Sequence, residues 1–312
     1  MKIYAKLLCG TALAVSMLGS ASAANLDKVG ISVGSLGNPF FVATIKGITD
    51  KAKSINPNVQ VISVSSDYDL NKQATQIDNF IAAGVNVIML NAVDAKAIAP
   101  AVERAHKAGI VVAAFDVGAQ GADVTVMTDN VKAGTLACQY IVDHLPGGKG
   151  DVLIVNGPQV TSVVDRVKGC KEVFAKNAGV KVLSSDQDAK GSRDGGMAVT
   201  QSLLTANPKI DAIFAINDPT GIGSALAAKQ MHRDEFFITA VDGAPDIEAE
   251  LKTGKSMIKA SSSQDPYTMA GMALEFGAKV LKGEKIEKPV VLLDPVLITS
   301  DNLKDYKGWT AR

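Results

Sequence analysis

The feature that most restricts this chain is a rhythm. Short β-branched runs at residues 29–34, 59–64, 85–90 and 110–115 alternate with stretches at 40–55, 70–83 and 94–108, whose apolar residues recur near helical spacing and which close on Gly or Asn-Pro. The strand runs are almost continuously apolar, as expected when both faces of a sheet are covered. Parallel strands need crossover connections, so the alternation predicts an α/β fold with a parallel sheet. The rhythm then restarts. A helix at 131–145 ends at Pro146-Gly147-Gly148, strands follow at 152–155, 180–184, 212–216 and 236–241, and helices fill 162–178, 196–206 and 221–231. One open sheet of so many strands would be unusually wide, which favours two similar α/β domains over a single doubly wound sheet. No low-complexity linker separates them, and Thr128-Asp129-Asn130 reads as a short hinge.

Lys and Arg total 32 against 32 Asp and Glu, so no basic field exists to hold a nucleic acid or an anionic membrane. At the amino end, Lys2 and Lys6 precede an apolar stretch at 7–18 that gives way to small residues up to Ala24. This predicts a secretory signal peptide over residues 1–23, cut after Ala21-x-Ala23, with a cut after Ala24 as the alternative. The apolar run is shorter than the ~20 residues a spanning helix needs, so the mature protein is expected to be soluble and exported. Cys9 leaves with the signal. Cys138 and Cys170 remain, and an oxidising compartment permits them to pair; two buried free thiols are the alternative. The even count and the shared lobe favour a disulfide, which by the chain-entropy model stabilises by about 3–4 kcal/mol for a loop of about 33 residues.

In an open parallel sheet, ligands bind beyond the carboxyl ends of the strands. The residues there are polar with unusual regularity: Asn38 in the loop after the first strand, then Asn91, Asp116, Asn156, Asn217 and Asp242. Singly, each reads equally well as a helix cap or turn residue. Six together favour a site. Amides and carboxylates on rigid strand ends suit a ligand rich in hydroxyls, since each hydroxyl both donates and accepts. Arg166 adds a planar donor fork, and Phe40 with Phe41 offers apolar surface, although about 100° separates them on a helix, so packing decides whether one of the two belongs to the core.

Signatures of catalysis fail. Thr253-Gly254-Lys255-Ser256 imitates the end of a phosphate loop, but Ala249 stands where its first glycine belongs. There is no G-x-S-x-G elbow, and Gly221-x-Gly223 lacks the third glycine of a dinucleotide fingerprint. His106, His144 and His232 show no i, i+4 pairing suited to zinc or to a general base. Asp67-x-Asp69-x-Asn71 opens like a calcium loop, but Lys72 takes the glycine position, and the segment reads as a helix start. No catalytic set, metal or cofactor is expected.

Gly37-Asn38-Pro39-Phe40-Phe41, Leu203-Leu204-Thr205-Ala206, Phe214-Ala215-Ile216-Asn217-Asp218, Val241-Asp242-Gly243 and Val280-Leu281-Lys282-Gly283-Glu284-Lys285, in that order and spacing, resemble the periplasmic sugar-binding proteins of ABC transporters, ribose-binding type. The resemblance covers essentially the whole mature chain. It implies a type I periplasmic binding protein: two Rossmann-like lobes with parallel sheets, joined by three hinge crossings near Thr128-Asp129, Ser263-Gln264 and Leu293-Asp294-Pro295. Residues 24–128 plus 265–293 would form the first lobe, and 129–264 plus 294–312 the second. Carried onto this sequence, the family's ligand contacts fall on Asn38, Phe40, Phe41, Asn91, Asp116, Arg166, Asn217, Asp242 and Gln264. Two positions depart from the ribose binders: Val117 stands where they carry arginine, and Gly191 where they carry an aromatic. Another small pentose, a branched sugar or a short polyol is therefore expected as readily as ribose. The implied protein is a non-catalytic, monomeric clamp that closes about its hinge and docks on a membrane permease; a chemoreceptor-coupled role is a variant of the same reading. Two alternatives stand beside it. A secreted α/β enzyme would show turnover, and a sugar-responsive regulator would need a DNA-binding module where the signal peptide lies.

Overall fold

The computed structural model describes residues 25–309, so the expected signal peptide and the last three residues of the chain lie outside it. From the amino end come β1 (Lys28–Val33), β2 (Gln60–Ser65), β3 (Val87–Leu90), β4 (Val111–Phe115) and β5 (Val124–Thr128), with α1 (Pro39–Ile55), α2 (Leu70–Ala82) and α3 (Ala99–Lys107) between them. A second series follows: α4 (Asn130–His144), β6 (Gly150–Val155), α5 (Thr161–Ala175), β7 (Val180–Ser184), α6 (Arg193–Ala206), β8 (Ala212–Ala215), α7 (Asp218–Gln230), β9 (Phe237–Asp242), α8 (Pro245–Lys252) and β10 (Ile258–Ser263). The chain ends with α9 (Pro266–Leu281), β11 (Val290–Leu293) and β12 (Val296–Thr299).

Two six-stranded sheets result, ordered β11-β5-β4-β3-β1-β2 and β12-β10-β9-β8-β6-β7. Apart from the antiparallel β10–β12 pair, every pairing is parallel. The two sheets repeat one strand order, so β3 and β4 of the first correspond to β8 and β9 of the second. Those four strands are buried almost throughout, because helices cover both faces. Each sheet reverses order between its first and third strands, which opens the crevice where ligands bind in such folds. The chain passes between the sheets three times: from β5 into α4, from β10 back into α9, and from β11 into β12.

Side-chain caps start the helices locally. Asn38, Asp69, Asp129, Ser192, Asn217 and Asp265 each accept a backbone N–H of the first turn. Asp69 is thus a helix cap, as the reading of that acidic segment required. The third helix is shorter than the expected 94–108: it begins at Ala99, because Pro100 has no N–H to carry a helix through from Asp94, whose carboxylate instead closes a turn on Lys96 and Ala97. Four strands, β5, β10, β11 and β12, are absent from the strand list drawn from the periodicity. β10 carries the run Ser261-Ser262-Ser263, which lacks a strand signature yet is buried because its hydroxyls find partners in Asp218, Ala133 and Val296.

α4 and α5 pack at very short range. A Cβ on Gly134 would lie 2.0 Å from the carbonyl oxygen of Arg166, and one on Gly169 would lie 2.0 Å from that of Val131. Only glycine permits this approach. The same two helices are joined by a Cys138–Cys170 disulfide, with Cα atoms 5.1 Å apart.

Candidate functional site

Between the two sheets lies a cavity of about 40 Å3, walled from both sides. The first sheet and its helices supply Asn38, Phe40, Tyr68 and Asp116; the second supplies Pro158, Val160, Ser162, Val163, Arg166, Gly191, Ile216, Asn217 and Asp242, and Gln264 comes from the crossing after β10. Seven of the nine residues singled out in the sequence therefore meet in one place. The lobes also touch directly across the gap, where Gly118 N–H donates to Thr161 Oγ1 at 2.9 Å.

Asp116 and Asp242 stand at corresponding positions, at the ends of β4 and β9. Both have left-handed backbones, with φ of 65° and 138°, a conformation that costs free energy in a residue bearing a Cβ and that turns the side chain out of the strand. Asn91 Nδ2 donates to Asp116 Oδ2 at 2.9 Å. Asp242 Oδ1 accepts Gln264 Nε2 at 2.7 Å and faces Arg166 Nη1 at 3.4 Å. Burial dominates both carboxyls and pushes each up to about 6, against the opposing pull of Arg166 and of their amide donors.

Arg166 is itself buried on α5, and its fork is fixed: Nε donates to Asn130 Oδ1 at 2.9 Å and Nη1 to Ile216 O at 2.9 Å. Gln264 joins Asp242 to Thr128, whose Oγ1 donates to Gln264 Oε1 at 2.7 Å. Thr128 and Asn130 flank one passage between the sheets and Gln264 flanks another. Asp242 is thus linked, through Gln264 and Arg166, to both of these passages.

Asn38 and Asn217 have double duties. Asn38 Oδ1 accepts the Phe40 N–H at 3.0 Å, capping α1. Asn217 Oδ1 caps α7 through Thr220 N–H, and its Nδ2 donates to Gly191 O at 3.0 Å. Each of these asparagines both caps a helix and lines the cavity, so the cap reading does not exclude a site role.

Two of the nine are not part of the cavity wall. Phe41 is buried in the first lobe's core, edge-to-face with Phe40 at 5.4 Å between centroids. Asn91 sits behind Asp116 and orients its carboxylate. Asn156, flagged as a strand-end residue, holds the loop after β6 through Ser185 O and Gly157 N–H, a turn role. Tyr68 went unnoticed in the sequence. It lies on a left-handed pair, Asp67 and Tyr68, with φ of 53° and 58°, after β2. Burial first, and then the nearby charges of Asp116 and Asp242, hold its phenol well above its usual range, so it stays a protonated donor. An aromatic directly after a strand was the available signal, and the acidic residues around it pointed elsewhere.

The arrangement offers hydrogen-bond donors and acceptors from two lobes, with the charge of Arg166 set against two carboxyls. Among the described residues no group of three or more His, Cys, Asp or Glu side chains is placed to hold a metal ion. Its amide, carboxyl, phenol and guanidinium groups can pair with the hydroxyls of a polar molecule.

Comparison with known proteins gives the following. The family model for the periplasmic binding protein domain matches residues 29–285. The ribose import binding protein of Bacillus subtilis (strain 168) is 31% identical over 264 residues, covering 84% of each chain. The xylitol-binding protein of Mycolicibacterium smegmatis is 31% identical over 288 residues, covering 90% of this chain and 80% of its own. Among solved structures, the Caulobacter myo-inositol-binding protein bound to myo-inositol superposes with a TM-score of 0.82 at 27% identity, covering 93% of this chain and 98% of that one.

Proposed function

Because this chain belongs to the periplasmic binding protein family, we propose that it is the solute-binding component of an ABC importer, which captures a small sugar or polyol between two closing lobes and delivers it to a membrane permease. In this reading residues 1–23 direct export to the periplasm. Residues 24–128 with 265–293 form one lobe, and 129–264 with 294–312 form the other. Asn38, Phe40, Phe41, Asn91, Asp116, Arg166, Asn217, Asp242 and Gln264 are its binding residues, Phe41 and Asn91 acting through the neighbours they pack against. The names of the relatives, which speak of ribose, xylitol and myo-inositol, support a polyhydroxylated ligand.

One observation carries the reading: Asp116 and Asp242, at matched strand ends of different lobes, face the same cavity. A ligand gains both carboxylates only when the lobes are together. Its affinity for the closed form then exceeds that for the open one, and that difference alone draws the equilibrium toward closure. A guest lacking one expected hydroxyl leaves a buried polar group unpaired at a cost of about 1–3 kcal/mol, which supplies selectivity.

The test is calorimetric titration with D-ribose, xylitol and myo-inositol, with the recovered solute analysed afterwards. At least one is expected to bind and to be recovered unchanged. Asp116→Ala and Asp242→Ala are each expected to weaken that binding at least tenfold while the protein remains folded. Unaltered affinity in both variants, or turnover of the bound solute, would refute the assignment.

A further inference from the structure

The inner cavity does not end at its own walls. Past Asn38, Tyr68, Gly191 and Asp242, residues it shares with its neighbour, it adjoins a larger chamber of about 720 Å3 between the same two lobes. Gly191 matters at this throat. It has no side chain to narrow the throat, and a Cβ there would lie in ordinary contact with the inner wall, 3.4 Å from Asn217 Nδ2 and 3.8 Å from Pro158 Cδ. The chamber is itself of the size that takes small ligands.

Its chemistry differs from that of the inner cavity. Four helices, α1, α6, α7 and α8, begin at its edge, and helix starts ordinarily present unpaired N–H donors that favour an anion. Here three of the four carry proline in the first turn: Pro39, Pro219 and Pro245. Each proline removes a donor and presents a ring instead. Three N-caps consume further donors, through Asn38, Ser192 and Asn217. The cations at the rim are paired as well, Arg193 with Asp246 at 2.8 Å, Lys46 with Asp50 at 2.7 Å and Lys190 with Asp188 at 2.7 Å. Most of what faces the space is apolar, with Val42, Ile222 and Trp309 beside the three prolines.

We propose that this chamber is a second subsite, and that it takes the apolar substituent of a sugar or polyol derivative whose hydroxylated part sits in the inner cavity. The proposal rests on the reading of the inner cavity as a polyol site. It extends the ligand class from free sugars to their ethers and glycosides. The throat supplies the continuity: an ether oxygen near Gly191 would place the substituent among the prolines without displacing a hydroxyl from Asp116 or Asp242.

The experiment compares D-ribose, xylitol and myo-inositol with the mono-O-benzyl regioisomers of each, by calorimetric titration of the wild type and of Val42→Trp. Val42 lies on the exposed side of α1 and lines only the outer chamber, so a tryptophan there fills that chamber without touching the inner one. For a parent compound that binds, at least one benzyl regioisomer is expected to bind within tenfold of it. Val42→Trp is expected to weaken the benzyl compound at least tenfold and the parent less than twofold. Binding of a parent with every regioisomer at least a hundredfold weaker, or equal effects of Val42→Trp on both, overturns the second subsite while leaving the inner one standing. Binding of neither parents nor derivatives overturns both.

Discussion

At the scale of single residues, the two aspartates are held in an unusual electrical state. Their carboxyls are pushed from an ordinary 3.8 up to about 6 by burial, so between those values the folded chain keeps protons that the unfolded chain has lost. The unfolded state then binds fewer protons, and this contribution to stability is present in full below about pH 4 and is lost as pH rises through 6. Asp116→Asn, which cannot ionise, should therefore gain on the wild type between pH 4 and 7 by on the order of 1–3 kcal/mol in the ligand-free protein. Paired thermal melts across that range check the sign. The same substitution should cost at least tenfold in ligand affinity at pH 7, since the amide replaces one acceptor oxygen with a donor. For the wild type, affinity should fall as pH drops below about 6, where protonated carboxyls accept ligand hydroxyls less well. Trp309 belongs to the same scale: its Nε1–H donates to Asp242 O at 2.9 Å, Tyr306 Oη–H donates to Gly243 O at 2.8 Å, and the indole lies edge-to-face with Phe40 at 6.2 Å. These contacts pin the left-handed Asp242–Gly243 turn. Trp309→Ala, which also opens a void, should cost about 3–5 kcal/mol of stability by denaturant melt, and Trp309→Phe clearly less.

At the scale of elements, the α4–α5 pair decides where Arg166 points. Gly134 touches the carbonyl of Arg166 itself, so Gly134→Ala should push α5 outward, destabilise by about 1–3 kcal/mol and weaken ligand binding as well, in contrast to a change in a helix remote from the cleft. The Cys138–Cys170 bond clamps the same pair. Replacing both cysteines with alanine should lower stability by about 3–4 kcal/mol, read as a lower denaturant midpoint with a steeper slope, because the unlinked unfolded chain is more open. The elements also show what was legible in the sequence. β3, β4, β8 and β9 announce themselves as unbroken apolar runs, and the residues after them were named for that reason. β10 did not, because Ser261, Ser262 and Ser263 are polar and become core only through partners distant in sequence, such as Asp218. Tyr68 stayed hidden for a related cause: a left-handed backbone at a bulky residue has no local signature. Phe40 and Phe41 show the limit from the other side, since a helix separates adjacent residues by about 100° and only packing decides which ring meets the cavity.

At the scale of the whole molecule, the design is a repeat. One strand order is used twice, the polar strand ends of each copy face those of the other, and Thr128, Asn130 and Gln264 connect the passages between the sheets to Asp242 through Arg166 and direct hydrogen bonds. On the proposed function, ligand capture and lobe closure are then parts of one equilibrium. The measurement that reaches this claim most directly is a crystal structure of the protein with whichever of D-ribose, xylitol or myo-inositol it binds. Hydroxyl oxygens of one intact solute molecule should lie within hydrogen-bonding distance of both Asp116 and Asp242. A solute bound elsewhere, held by one lobe alone, or found chemically altered would contradict the account.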